Sequence, residues 1–132
     1  MSHFSTIKTR IHEQQLLEET LTKLGYKFEV GEQVLTNCEG DETQSVDLVV
    51  DVDAGDHKIG FQRLADGTFN IVADWWRIEK QTGVTEQKFV GFVNVGYAQA
   101  ALKREAKAHG YIIEEEKVLA NGEVELVVSE PV

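Results

Sequence analysis

Apolar residues recur every three or four positions between Thr85 and Gly110, TEQKFVGFVNVGYAQAALKREAKAHG. Phe89, Phe92, Val93, Gly96, Tyr97, Ala100 and Ala101 fall on one side of a helix at that spacing. Thr85 suits the N-cap and Glu86 the first turn. Lys103, Arg104 and Lys107 near the end favour the negative pole of the helix dipole, and Gly110 suits the position just past it. KFVGFVNV, Lys88 to Val95, is also rich in aromatic and β-branched residues and reads as a strand on propensity alone. Gly91 and Gly96 each cost a helix about 1 kcal/mol relative to alanine. The periodicity and the caps favour the helix.

Earlier in the chain, Ile7, Thr9 and Ile11 alternate, so His3 to Ile11 reads as a strand. Glu13 to Leu24 reads as a helix, with Leu16, Leu17, Thr20, Leu21 and Leu24 on one side. Glu19 and Lys23, four apart on the polar side, form a favourable pair. Gly25 ends that helix. Tyr26, Phe28 and Val30 alternate as a strand, and a further piece of strand fits Gln33 to Thr36 within a polar stretch. Val46, Leu48, Val50 and Val52 alternate with Asp47, Val49, Asp51 and Asp53, giving one apolar and one mostly acidic face. Lys58 to Leu64 and Thr68 to Trp76 flank Ala65-Asp66-Gly67 as a hairpin. Tyr111 to Val118 and Glu123 to Val128 flank Asn121-Gly122 as a second.

LTKLGYKFEV (21–30) and AKAHGYIIEE (106–115) share an order of helix, glycine, tyrosine and strand. Two such units on one sheet would make an elaborated ferredoxin-like sandwich. The expectation is therefore an α+β fold: one domain over residues 1–132, a mainly antiparallel sheet, two helices on one face, and a loose tail from about residue 129.

Composition narrows the function more than the fold. A length of 132 residues suits one domain, and 42% apolar content is enough for one core. A net charge of -10 argues against a general nucleic-acid binder and against an anionic membrane surface. It serves solubility, and it would also steer a basic protein partner. The lone Cys38 excludes an internal disulfide framework. No apolar run is long enough for a membrane span, and the first residues lack a signal-peptide core, so a cytoplasmic setting is expected.

Candidate chemistry is sparse. DVDAGD, Asp51 to Asp56, resembles a calcium loop, but its glycine is fifth rather than sixth and Gln62 stands at the twelfth place. His3, His12, His57 and His109 make no metal pair at helical spacing. Cys38 has no activating histidine near it in sequence. Phosphate-cradling glycine motifs and the G-x-S-x-G elbow are missing. No catalytic, metal or cofactor residues are assigned.

Trp75 and Trp76 stand out. On a continuing strand Trp75 would join the core and Trp76 would face outward, beside Arg77. Exposed Trp and Arg are enriched at interface hot spots. The expected activity is non-enzymatic partner docking through an exposed sheet face or edge, anchored by Trp76 and Arg77, with Asp47, Asp51 and Asp53 steering a basic partner. The alternative is a small-ligand protein or enzyme with a pocket between the main helix and the sheet, lined by Gly91, Gly96 and Tyr97.

MSHFSTIKT, IGFQRLADGTFNIVADWW (59–76) and GYIIEEEKVLANGEVELVV (110–128) together resemble the domain-of-unknown-function family numbered 1257. Its plastid members are called hypothetical chloroplast open reading frame 35. QTGVTEQ (81–87) departs from the family pattern. The resemblance implies a cytoplasmic or stromal protein of photosynthetic cells and supplies neither a reaction nor catalytic residues.

Overall fold

A computed structural model describes residues 3–131. Five strands form an antiparallel sheet in the order β1-β5-β4-β3-β2: β1 (Ser5–Lys8), β2 (Lys27–Thr36), β3 (Thr43–Asp51), β4 (Ile59–Arg63) and β5 (Phe69–Ala73). The helices are α1 (Gln14–Lys23), α2 (Trp75–Thr82) and α3 (Glu86–Ala108). β6 (Ile112–Val118) and β7 (Val124–Ser129) form a separate two-stranded sheet. The fold is α+β.

All three helices feed one face of the larger sheet. Leu17 and Leu21 of α1, Trp75 and Ile78 of α2, and Phe89 and Val93 of α3 bury against Leu48, Val50, Ile59, Phe61, Phe69 and Ile71. Phe89 sits at the aromatic centre, with ring centroids 5.4 Å from Tyr26, 5.7 Å from Trp75 and 6.3 Å from Phe61. These separations suit favourable ring packing. Lys88 to Val95 is thus helix, and Thr85 caps it by accepting from the Lys88 amide at 3.2 Å.

The opposite sheet face carries a smaller cluster of Leu35, Val46, Val49 and Val72, with Phe4 against it. Here β3 departs from simple alternation. Val46 packs away from Leu48 and Val50, and Val49 is buried rather than part of an acidic face. At the same place the β2–β3 register shifts, between Val30 and Gln33 opposite Leu48 and Val46. The two expected pieces, Tyr26 to Val30 and Gln33 to Thr36, are one strand carrying this irregularity.

Two expectations are corrected. The strand from Thr68 ends at Ala73, and Trp75 opens a third helix. Asp74 stands at its N-cap, 2% exposed, with its carboxylate accepting from the Cys38 amide at 2.8 Å. This holds the 37–42 turn against the helix start. The second correction is to the ferredoxin-like arrangement. The second helix-glycine-tyrosine-strand unit leads into β6, which pairs only with β7 and never joins the larger sheet. Helices number three rather than two among the described residues.

Candidate functional site

Trp75 is 6% exposed and Trp76 40% exposed. Burial therefore divides them as strand alternation would, although they lie on α2, where successive side chains point about 100° apart. Lys80, one turn on, lays its ammonium over the Trp76 ring at 4.1 Å, a cation–π contact. Arg77 is half-buried.

The expected acidic trio has local work. Asp47 accepts from the Arg63 amide at 2.7 Å. Asp51 accepts from the Asp53 amide at 2.9 Å and pairs with Lys58 at 3.3 Å. The Asp53 amide first, then Lys58, hold the Asp51 carboxyl below its ordinary range. Asp53 is exposed in a left-handed conformation, φ 62.

Gly91, Gly96 and Tyr97 do not share a pocket. Tyr97 lines a cleft of about 400 Å³ beside Lys8, Arg10 and Asn94. Its hydroxyl accepts from the Glu13 amide at 3.2 Å, serving an otherwise orphaned donor at the start of α1. Gly96 and Gly91 instead line a groove of about 700 Å³ between α3 and the β6–β7 hairpin. Its apolar walls are Phe92 and Val95 of α3, Val118 and Leu119 of the hairpin, and Leu24 just past α1. The space is thus between the main helix and the small sheet, not the large one.

Phe92 is 56% exposed, contrary to its expected place on the core face of α3. The helix is apolar on two sides. Phe89 and Val93 enter the core, and Phe92 and Val95 face the groove. β6 is exposed along its whole length, with Ile112, Ile113 and Val118 among its residues. β7 adds exposed Val127 and Val128, while Val124 and Leu126 are half-buried. Lys103 ties α3 to Glu116 of β6 at 2.9 Å. The rim is acidic: residues 114–125 hold Glu114, Glu115, Glu116, Glu123 and Glu125 against Lys117 alone.

The groove was missed because its walls are distant in sequence. Two local signals point to it in retrospect. Phe92, Val95 and Gln99 repeat at three and four as a second stripe on α3, and Val118-Leu119-Ala120 carries apolar residues into a turn, where polar ones are usual. Among the described residues no group of three or more His, Cys, Asp or Glu could hold a metal ion. No helix among them is long and apolar enough to cross a membrane.

The model of a family described as "Protein of unknown function (DUF1257)" matches residues 20–127. An "Uncharacterized protein ycf35" of Pyropia yezoensis is 27% identical over 128 residues, covering 97% of this chain and 96% of that one. No solved structure matches. The family match takes in the β4–β5 hairpin, α2, all of α3 and the β6–β7 hairpin as far as residue 127, and on it the chain belongs to the DUF1257 family.

Proposed function

We propose that the chain is a non-enzymatic protein-binding module of the cytoplasm or plastid stroma. Its docking site is the groove between α3 and the β6–β7 hairpin. The occupant is an amphipathic segment of another protein, with an apolar stripe for the groove and basic residues for its rim. One observation carries this reading: large apolar side chains on facing elements, Phe92, Val118 and Leu119, are left to solvent around one concavity. Contiguous exposed apolar surface rimmed by polar residues marks interaction sites. Burying it yields about 25 cal/mol per Å² before the costs of association. The glutamates of β6 and its turn supply charge complementarity to a basic flank. Trp76 and Arg77 are the second surface, favoured by the exposed indole, although Lys80 already occupies one face of that ring.

A random-peptide library selected on the wild-type protein, its enriched peptides then measured on Phe92→Asp/Leu119→Asp, tests both site and occupant. Both side chains are exposed, so this variant should keep its fold, checked by circular dichroism. Enriched peptides should carry apolar residues at helical or alternating spacing flanked by Lys or Arg. They should bind the double variant roughly tenfold or more weakly, as expected for loss of an interface anchor. Peptides that bind this variant as well as wild type but fail on Trp76→Ala/Arg77→Ala would move the site to α2. Enrichment of acidic or wholly polar peptides would overturn the proposed partner chemistry.

A further inference from the structure

A second concavity lies where α1 and α3 cross, and its chemistry is opposite to that of the molecule as a whole. The chain has 13 Lys and Arg against 23 Asp and Glu. Four of those cations, Lys23, Lys103, Arg104 and Lys107, line a cleft of about 350 Å³. Gly96, Ala100 and Thr20 line it too.

The charges around this cleft are unevenly matched. Arg104 is taken by Glu13 and Lys103 by Glu116. Glu19 is the one carboxylate among the lining residues, and it forms no ion pair with Lys23 despite the favourable spacing along α1. Among the described residues, neither Lys23 nor Lys107 has a carboxylate within ion-pairing distance. The helix dipole explains cations in the last turns of α3. It does not explain the approach of Lys23 to Lys103 from another helix. That proximity pushes the Lys23 ammonium below its ordinary range, with Lys103 the leading cause. Glu116, already paired with Lys103, offsets only part of this repulsion, and a bound anion would relieve the rest.

We infer that the cleft between α1 and α3 binds the phosphate group of a small anionic metabolite, held by Lys23, Lys103 and Lys107 with Arg104 at its edge. Charge-assisted hydrogen bonds from ammonium and guanidinium groups to phosphate oxygens are short and strong. Tetrahedral phosphate accepts from several directions at once, which suits donors arriving from two helices. This site is separate from the apolar groove, with Gly96 of α3 between them as a shared wall.

Inorganic pyrophosphate, titrated into the full chain at constant ionic strength and followed by amide chemical shifts, tests the inference. Saturable shifts should centre on Thr20, Lys23, Ala100 and Lys107. Lys23→Gln/Lys107→Gln should bind about tenfold more weakly. Lys8→Gln/Lys58→Gln, which removes two cations engaged elsewhere with Asp66 and Asp51, should bind as wild type does. An absence of saturable shifts, or equal weakening in both variants, would overturn the site. A phosphoserine peptide binding more tightly than pyrophosphate would overturn the small-molecule source while keeping the phosphate chemistry.

Discussion

Gly91 and Gly96 look equivalent in sequence, both being glycines inside one helix, yet their surroundings make opposite demands. A methyl at Gly96 would come within 2.8 Å of Thr20 Cγ2 on α1. Thr20 cannot easily yield, because it is 2% exposed and its hydroxyl donates to the Leu16 carbonyl at 2.7 Å. A methyl at Gly91 would meet nothing within 4 Å. Gly91→Ala should therefore stabilise by about 1 kcal/mol through helix propensity alone. Gly96→Ala gains the same propensity but incurs an overpacking cost of about 1–3 kcal/mol, so it should lower the melting temperature. Chemical and thermal unfolding of the two variants would read this directly. A Gly96→Ala variant more stable than wild type would show that the helices can part without cost.

Asp66 makes a residue-scale prediction in pH. Thr68 bonds its carboxylate twice, through the hydroxyl at 2.6 Å and the amide at 2.9 Å, and Lys8 pairs with it at 3.3 Å. Thr68 first, then Lys8, hold its pKa at about 2, below the ordinary 3.8. A carboxyl depressed by folding contributes stability that is fully present above the unfolded value and fades as pH falls toward the folded one. Wild type should exceed Asp66→Asn in denaturant midpoint at neutral pH, and the gap should close between about pH 4 and about pH 2. A gap constant across that window would mean the turn gains nothing from the charge.

At the scale of elements, the chain's local patterns were readable where an element is long or closed by a turn. α1, α3 and both hairpins stand close to where periodicity and turn residues placed them. Each hairpin closes through three residues with glycine at positive φ, Gly67 and Gly122. α2 was not readable, because FNIVA runs into DWW without a glycine or proline, and tryptophan favours strands. Asp74 stands buried at the N-cap position, and its carboxylate accepts from the Cys38 amide, 36 residues away in sequence. A contact of that kind leaves no local pattern. Tyr97 illustrates the same limit. Its spacing suggested a pocket wall, and its hydroxyl instead serves the start of α1, 84 residues earlier. The groove shares the difficulty, since α3 and the turn after β6 come together only in the folded chain.

Taken as a whole, the molecule divides into a core and an appendage. Among the described residues, none after Tyr97 belongs to the main buried cluster or packs against it, and the second cluster ends at Val72. The last 22 residues, 111–132, hold six glutamates and one lysine, which is half of the net charge of -10. An isolated two-stranded sheet is marginal in water, so β6–β7 depends on its rest against α3. It follows that a chain ending at Gly110 should keep the five-stranded sheet and all three helices, with a cooperative melt and the near-ultraviolet signal of buried Trp75 intact. The same division predicts that hairpin amides in the full chain exchange through openings of lower free energy than those of Leu48, Ile59 and Ile71. A groove-binding peptide should slow the hairpin's exchange while leaving the sheet's rate unchanged, because only the hairpin is marginal without it. Loss of cooperative melting in the truncated chain would show that the appendage is part of the folding unit, and the groove would then be a seam of the core rather than a place kept open for a partner.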